Sequence, residues 1–461
     1  MYHRPAGPPG GGLETMKKPR TTQAKLIRPK LPLARIVEMN LGFFGLQFSF
    51  GLQQANMAPI YAALGAHEAT MPLLWIAGPV TGLIVQPLIG ALSDRTRSRF
   101  GRRVPYFLIG AVLCSAGLFA MPLSPALWIA ASLLWLLDAA NNVTMEPYRA
   151  YVADRLSPEQ RPAGFLTQSA FTGLAQTLAY LAPSLLTAVI DRNLLDANGI
   201  PAVVRVAFVL GAVISLATIV WSVLRVPELP PDDAERARLD TLPRSLAAPF
   251  RDLLDACVQM PRPMRQMMLP MLCQWYAIFA YWQYVAHALA RGFYGSVPAH
   301  SPAFRAATLT AQQLGAAYNL VAILAALLLI PLVRRHGPRA MHVVCLCAGG
   351  GAMIALSQSG SLPVLALAAL GIGLCWAGMM GNPYVMLASC IPPERNGVYM
   401  GLFNLFIVVP MLIETLTLPL LFHPVLTDDP RHVLLLAGLL MLAGALATRF
   451  VQGTQRAVET P

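Results

Sequence analysis

Apolar residues along this chain gather into blocks of about 20, the length that crosses a bilayer as a helix. Short polar segments separate the blocks. Twelve are read, over residues 35–60, 72–93, 104–123, 126–152, 164–190, 203–225, 266–290, 309–333, 340–359, 363–390, 397–422 and 432–451. The pattern predicts an all-α membrane protein with twelve transmembrane helices. The longest polar interval, 227–265, splits the blocks six and six and predicts a linker with one short amphipathic helix around 245–258. The expected organisation is a disordered tail over 1–34, a six-helix bundle over 35–226, the linker over 227–265, a second six-helix bundle over 266–452 and a second tail over 453–461.

Composition agrees with that pattern. The 461 residues are 56% hydrophobic and 12% charged, against about 25% charged in soluble domains. A net charge of +12 suggests nucleic acid until the charges are placed. Of the 34 Lys and Arg, about 28 fall in segments on one side of the alternating topology, which the positive-inside rule makes cytoplasmic. About five (Arg192, Arg205, Arg291, Arg305 and Arg431) fall on the other side, and Arg149 lies within a block. The basic excess therefore reports orientation in a cell (inner) membrane, with both termini cytoplasmic. No nucleic-acid partner is expected, because basic patches for that purpose sit on a solvated face. Residues 1–34 are rich in Pro, Gly and Lys and lack an apolar core segment, so they read as a cytoplasmic tail and not a signal peptide; Met16 is an alternative start. The seven Cys lie in or beside apolar blocks, and Cys345 and Cys347 form only C-x-C. No metal site, disulfide or cofactor is expected. Catalytic residues are not expected either, since H-x-x-x-H, G-x-S-x-G and phosphate-loop patterns are missing.

The two halves repeat weakly. Phe100-Gly101-Arg102-Arg103 returns as His336-Gly337-Pro338-Arg339, and Pro147-Tyr148 returns as Pro383-Tyr384, both at an offset of 236. Pro158-Glu159 returns as Pro393-Glu394, one residue out of register. Parallel six-helix halves around a central site are the arrangement of major facilitator transporters. The fold class expected is therefore a major facilitator fold of two pseudo-symmetric halves, working as a monomer in the lipid bilayer.

Polar residues inside the blocks are the candidate chemistry, because a charge at mid-bilayer is costly and faces a cavity or a partner. The fourth block, LLWLLDAANNVTMEPYRAYVADRL, holds most of them. At about 100° per residue, Asp138 and Arg149 lie within about 20° of azimuth and about 16 Å apart along the axis. Asn142 shares that face. Glu146 and Arg149, at i and i+3, are spaced to pair. Asp138 has no basic neighbour on its own helix, which suits a group that binds and releases a proton; the alternative is interhelical glue. Arg149 presents a planar fork suited to hydroxyls or a carboxylate, and its alternative is a structural pair with Glu146. Asn40, Gln47 and Gln54 form an amide stripe on the first block, either lining a wet cavity or bonding between helices. Gln168 and Gln176 repeat the theme on the fifth block. Trp282 and Gln283 on the seventh suit sugar faces or an interfacial belt. His287 is read as an interfacial histidine in preference to a proton carrier. Glu414 is the one acid deep in the second half.

The segment GALSDRTRSRFGRR, residues 90–103, sets one Asp and five Arg in a tight turn between two blocks. It either anchors topology or gates: Asp94 and Arg95 at a helix end, with Gly101, Arg102 and Arg103, are read as a charge relay to a neighbouring helix in one conformation.

These residues as a set resemble the plant sucrose–proton symporters and their animal and bacterial relatives, the glycoside–cation symporter branch. The loop SDRTRSRFGRR followed by VPY is similar to that family's loop between its second and third helices. Asp138-x-x-Asn141-Asn142, with Pro147, Arg149, Ala153 and Asp154, is similar to its fourth helix, and residues 397–410, GVYMGLFNLFIVVP, to its eleventh. The resemblance implies proton-coupled import of a disaccharide or glucoside of sucrose or maltose type, with Asp138 in proton coupling and Arg149 in substrate binding. Glu146 departs from the plant pattern. The chain is shorter than plant members and lacks their long loops, which fits a bacterial source.

The expected activity is thus proton-coupled symport, with Asp138, Glu146 and Glu414 as proton-coupling candidates. The substrate candidates are Arg149, Asn40, Gln47, Gln54, Asn142, Gln168, Gln176, Trp282 and Gln283. The alternatives are carriage of another solute (a sodium-coupled glycoside, an organic anion or a drug) and a non-transporting sugar sensor.

Overall fold

The computed structural model describes residues 29–157, 159–191, 193–196, 198–229, 248–295, 298–359, 361–391 and 396–452. The tail stretches 1–28 and 453–461, the linker stretch 230–247, and Pro158, Pro393 and Glu394 lie outside the described residues.

The helices in chain order are α1 Leu33–Ala63, α2 Met71–Leu74, α3 Ala77–Arg95, α4 Val104–Ala120, α5 Leu127–Arg155, α6 Arg161–Leu186 and α7 Ala202–Arg225. Then follow α8 Ala248–Val258, α9 Arg262–Tyr294, α10 Pro302–His336, α11 Pro338–Gln358, α12 Leu362–Ala388, α13 Asn396–Phe422 and α14 Pro430–Thr448. Single 3₁₀ turns precede α2 and follow α4. The only β-type pairing among the described residues is an isolated bridge between Leu195 and Pro201, so the expected all-helical membrane architecture is met. α1 begins inside the stretch read as tail. Pro32 stands at its N-cap, and Leu31 is tied back by its N–H to Gln160 Oε1 at 3.0 Å.

Eight of the long helical segments are long and apolar enough to cross a membrane by length and composition alone. The long helices outside that set are α1, α5, α6 and α9. They carry the amides, acids and tyrosines that lower their apolar average, and those residues point into the molecule: Asn40, Gln53, Asp138, Asn141, Gln168, Gln274 and Gln283 are all buried. Large apolar side chains instead stand exposed on the outside, among them Trp128, Leu224, Leu328, Leu362 and Leu420. An apolar exterior around a polar interior suits lipid as the surrounding solvent.

Within the first half α1 packs on α6 and α7, α4 on α5 and α7, and α3 on α5; within the second, α9 packs on α10, α13 and α14, and α11 on α12 and α14. The halves meet through α6 against α10 and α3 against α13, with α1 touching α9. Small residues bring backbones close. A Cβ on Gly45 of α1 would stand 2.0 Å from Thr218 Oγ1 and 2.9 Å from Ser215 Cα of α7. The repeat is visible in the backbone as well. Gly101 and Gly337 take φ of +103° and +83° in the α3–α4 and α10–α11 connections, at the offset found in the sequence.

Candidate functional site

Two ends of the bundle differ. The end that carries residues 96–103 is here the charged end; the other, which carries Glu68 and Arg291, is the far end. At the charged end two arginines of the loop, Arg102 and Arg103, bind acids of the first half. Arg102 pairs with Asp154 of α5 at 2.6 Å. Arg103 reaches Asp94, Asp154 at 3.3 Å and Ser93 Oγ at 2.7 Å, while Arg95 closes the last turn of α3. Glu228, just past α7, accepts the N–H groups of Arg103 at 2.8 Å and Val104 at 3.3 Å, capping the start of α4. Burial pushes the Glu228 carboxyl above its ordinary value, against the downward pull of those N–H groups and of Arg102. Gly101 is required here: its φ is positive, and a Cβ would fall 2.2 Å from Glu228 Oε2. The sequence reading found the loop and Asp94 but missed Asp154 and Glu228 as its anchors.

At the far end the halves are joined. Arg291 of α9 pairs with Glu68 at 2.6 Å, and Tyr284 Oη donates to Glu68 O at 2.6 Å. Arg305 donates to Asn193 Oδ1 at 3.2 Å, and Gln313 to Ser184 Oγ at 3.2 Å. Deeper, Asn404 of α13 donates to Gln86 of α3 at 3.1 Å.

Below that seal lies a narrow cleft between the halves. Its wall includes Gln54 of α1, Tyr180 of α6, Tyr281 and Trp282 of α9, and Gln312 and Tyr318 of α10. Tyr180 and Tyr281 each set a ring edge toward Tyr318, and Trp282 Nε1 donates to Tyr318 Oη at 3.2 Å. Gln312 Nε2 is spent on Asn56 Oδ1 at 2.9 Å and Ala55 O at 3.3 Å. Gln54 Oε1 and Gln312 Oε1 are buried with no hydrogen-bond donor. The cleft wall thus carries aromatic surface and two glutamines whose Oε1 atoms are buried without a donor.

Asp138 stands behind α1, not in the cleft wall. It is 4% exposed, and its Oδ1 accepts from Gln53 Nε2. Gln53 Oε1 in turn accepts from Asn141 at 3.3 Å. Because successive residues of a helix point about 100° apart, Gln53 faces α5 while Gln54 faces the cleft. Asn142 extends the network: Nδ2 donates to Thr81 Oγ1 at 3.1 Å and to Asp138 O at 2.9 Å, and Oδ1 accepts from Gln86 at 2.6 Å. The chain Asp138–Asn142–Gln86–Asn404 crosses from one half to the other.

The remaining candidates fall in different places. Arg149 and Glu146 pair at 3.1 Å, with the Arg149 side chain 52% exposed. Arg149 lies outside the cleft wall and does not meet Asp138, since their shared azimuth leaves the 11-residue rise between them. Asn40 donates to Ile36 O of its own helix at 2.8 Å, and Gln47 accepts from Gln176 at 3.2 Å. The amide stripe of α1 is therefore not one surface, and only Gln54 of the three reaches the cleft. Gln168 is buried with Nε2 unpartnered. Gln283, read with Trp282 as a sugar contact, is 0% exposed and donates to Glu414 Oε2 at 3.2 Å. Only Trp282 lines the cleft, because its neighbour is turned about 100° away.

The sequence reading missed Gln53, Gln86, Tyr180, Tyr281, Gln312, Tyr318 and Asn404. Adjacent amides in apolar blocks, Gln53-Gln54 and Gln312-Gln313, were a usable signal. The tyrosines left none, since tyrosine is equally at home in an interfacial belt.

A helical bundle of two similar halves around a central polar cleft is the build of a membrane carrier. The chain belongs to the Major Facilitator Superfamily, whose sequence model matches residues 39–413. It is similar to the rice (Oryza sativa) sucrose transport protein SUT5, 25% identical over 433 residues that cover 81% of this chain and 79% of that protein. The human membrane-associated transporter protein is 30% identical over 170 residues, 33% of this chain and 32% of that protein. The general alpha-glucoside permease of Schizosaccharomyces pombe is 28% identical over 162 residues, 32% of this chain and 29% of the permease. Among solved structures, a D-xylose–proton symporter superposes with a TM-score of 0.64 at 15% identity, covering 92% of this chain and 99% of that one. The nucleoside transporter NupG gives 0.68 at 13% identity, covering 90% and 99%. These likenesses carry the fold.

Proposed function

We propose that this protein is a proton-coupled symporter that imports a disaccharide or glucoside of sucrose or maltose type by alternating access. Twelve helices cross the membrane, with the charged end and both termini in the cytoplasm by the distribution of Lys and Arg. The conformation described is then closed to the outside. The observation that carries the substrate class is the pair of bare acceptors, Gln54 Oε1 and Gln312 Oε1, set among aromatic rings. Sugar hydroxyls donate to such oxygens and sugar C–H faces stack on Tyr and Trp. An anion would be repelled by them, which disfavours the organic-anion alternative. Similarity to sucrose and alpha-glucoside carriers supports the same class.

Asp138 is the coupling group in this reading. It is buried, has no cation within ion-pair distance among the described residues, and touches the cleft only through α1. Protonated, it removes the charge that otherwise makes movement of α1 against α5 costly. Sugar on Gln54 and proton on Asp138 then act on adjacent residues of one helix, and the loaded form rocks between openings.

The test is reconstitution in liposomes with an inward proton gradient, following internal pH while sucrose, then maltose, trehalose and glucose, is added. Sugar-triggered acidification is expected for a disaccharide. Asp138→Asn is expected to bind and exchange sugar but not to accumulate it; full gradient-driven accumulation by that variant would sink the assignment, as would acceleration by sodium with indifference to protons.

A further inference from the structure

Asp138 has a counterpart in the second half. Glu414 of α13 is 0% exposed. Its Oε2 accepts from Gln283 Nε2 at 3.2 Å, and its Oε1 has no hydrogen-bond partner. Gln283 Oε1 is also buried and bare. The arrangement repeats that of the first half, where Gln53 holds the acid while its neighbour Gln54 lines the cleft. Here Gln283 holds the acid while its neighbour Trp282 lines the cleft.

The two pairs differ in one respect. At Asp138 the amide oxygen of Gln53 is occupied by Asn141, so that oxygen does not call for a proton on the acid. At Glu414 two acceptors face a shortage of donors. A carboxylic acid and a primary amide are complementary, N–H to one carboxyl oxygen and O–H to the amide oxygen. One proton on Glu414 Oε1 supplies the donor that both bare oxygens lack. Without it, a carboxylate is left in a dry helix interface with neutral partners alone, a costly arrangement.

Other titratable groups do not replace that proton. From α9, Tyr276 shares a hydrogen bond with Thr417 Oγ1 at 3.0 Å, and Tyr284 donates to Glu68 O. His287, one turn beyond Gln283, sets its ring against Phe304. Glu68, near α2, is held by Arg291. α3 brings no charged residue before Asp94, and α8 brings Arg251 and Asp255 to the charged end. α13 itself carries only Tyr399, roughly 22 Å along the axis.

We propose that Glu414 with Gln283 is a second proton-binding site, in the second half of the protein, loaded in this conformation and emptied during the transport cycle. The proton forms an O–H bond on Glu414 and leaves to water. One readout below rests on the symport reading; the other does not.

The full-length protein in liposomes is treated with an apolar carbodiimide, which couples to protonated carboxyls in apolar surroundings, and Glu414 modification is followed by peptide mass spectrometry from about pH 5 to about pH 9. Labelling that is high at acid pH and falls with rising pH is expected. No labelling, or labelling independent of pH, overturns the proposal, whether or not any sugar is carried. The second readout is sucrose or maltose accumulation at a tenfold proton gradient with the membrane potential clamped to zero. Glu414→Gln, which keeps an amide able to pair with Gln283, is expected to lower the accumulation limit about tenfold, one proton fewer per sugar. An unchanged limit overturns the proposal. Should that variant not fold, the labelling of the wild-type protein decides alone.

Discussion

At the scale of single residues, neighbours on one helix are given different tasks. Gln54 meets the cleft and Gln53 meets Asp138. On the proposed sugar reading, Gln54→Leu removes one acceptor for a substrate hydroxyl, about 1.4 kcal/mol, and is expected to raise KM for the transported sugar about tenfold with little change in maximal rate. Gln53→Leu leaves Asp138 without its donor and is expected to move the pH–rate profile while KM stays near wild type. Uptake kinetics across pH separate the two; identical phenotypes would refute the division. Sequence reading found Asp138 because an acid in an apolar block is conspicuous. It selected Gln54 by heptad spacing and passed over Gln53, because spacing along a helix does not say which azimuth faces the cleft. Arg149 shows the same limit, since shared azimuth with Asp138 says nothing about depth.

At the scale of elements, the helices were legible and their roles were not. The amphipathic helix expected around 245–258 is present as Ala248–Val258. α1, α5, α6 and α9 are the ones whose composition looks least membranous, since their polar residues serve the interior and not the lipid. Close packing of α1 on α7 is written in glycine. Gly45→Val has no room beside Ser215 and Thr218 and is expected to cost about 2 kcal/mol or more, seen as a lower Tm of the detergent-purified protein. Gly90, around which no atom lies within 4 Å of a built Cβ, is the control, and Gly90→Ala inside a helix is expected to hold Tm or raise it slightly. Equal losses would argue against close approach as the cause. The pairing of α6 with α10 and α3 with α13 had no sequence signal, because contacts between halves depend on how two bundles meet and not on either pattern alone.

At the scale of the whole molecule, the far end is held by few bonds. Glu68–Arg291 is part-exposed, so its worth is about 1 kcal/mol, enough to shift a two-state population roughly fivefold. Arg291→Ala is therefore expected to favour the conformation open at the far end. Hydrogen exchange measures this: faster exchange in residues 60–70 and 285–295, with slower exchange at the 96–103 loop, is the expected result. Unchanged exchange at both ends would show that the ion pair does not hold the closed state.

Both buried acids sit behind the helix that presents the cleft, one residue out of step with it. Under the proposed symport, selecting a cargo and spending a gradient are thereby kept apart in the chemistry of the chain. In that reading a change of side chain at Gln54, Tyr180 or Trp282 alters what is recognised and leaves the acid–amide pairs as they were. Such a scaffold lets a lineage trade one nutrient for another without rebuilding its power supply.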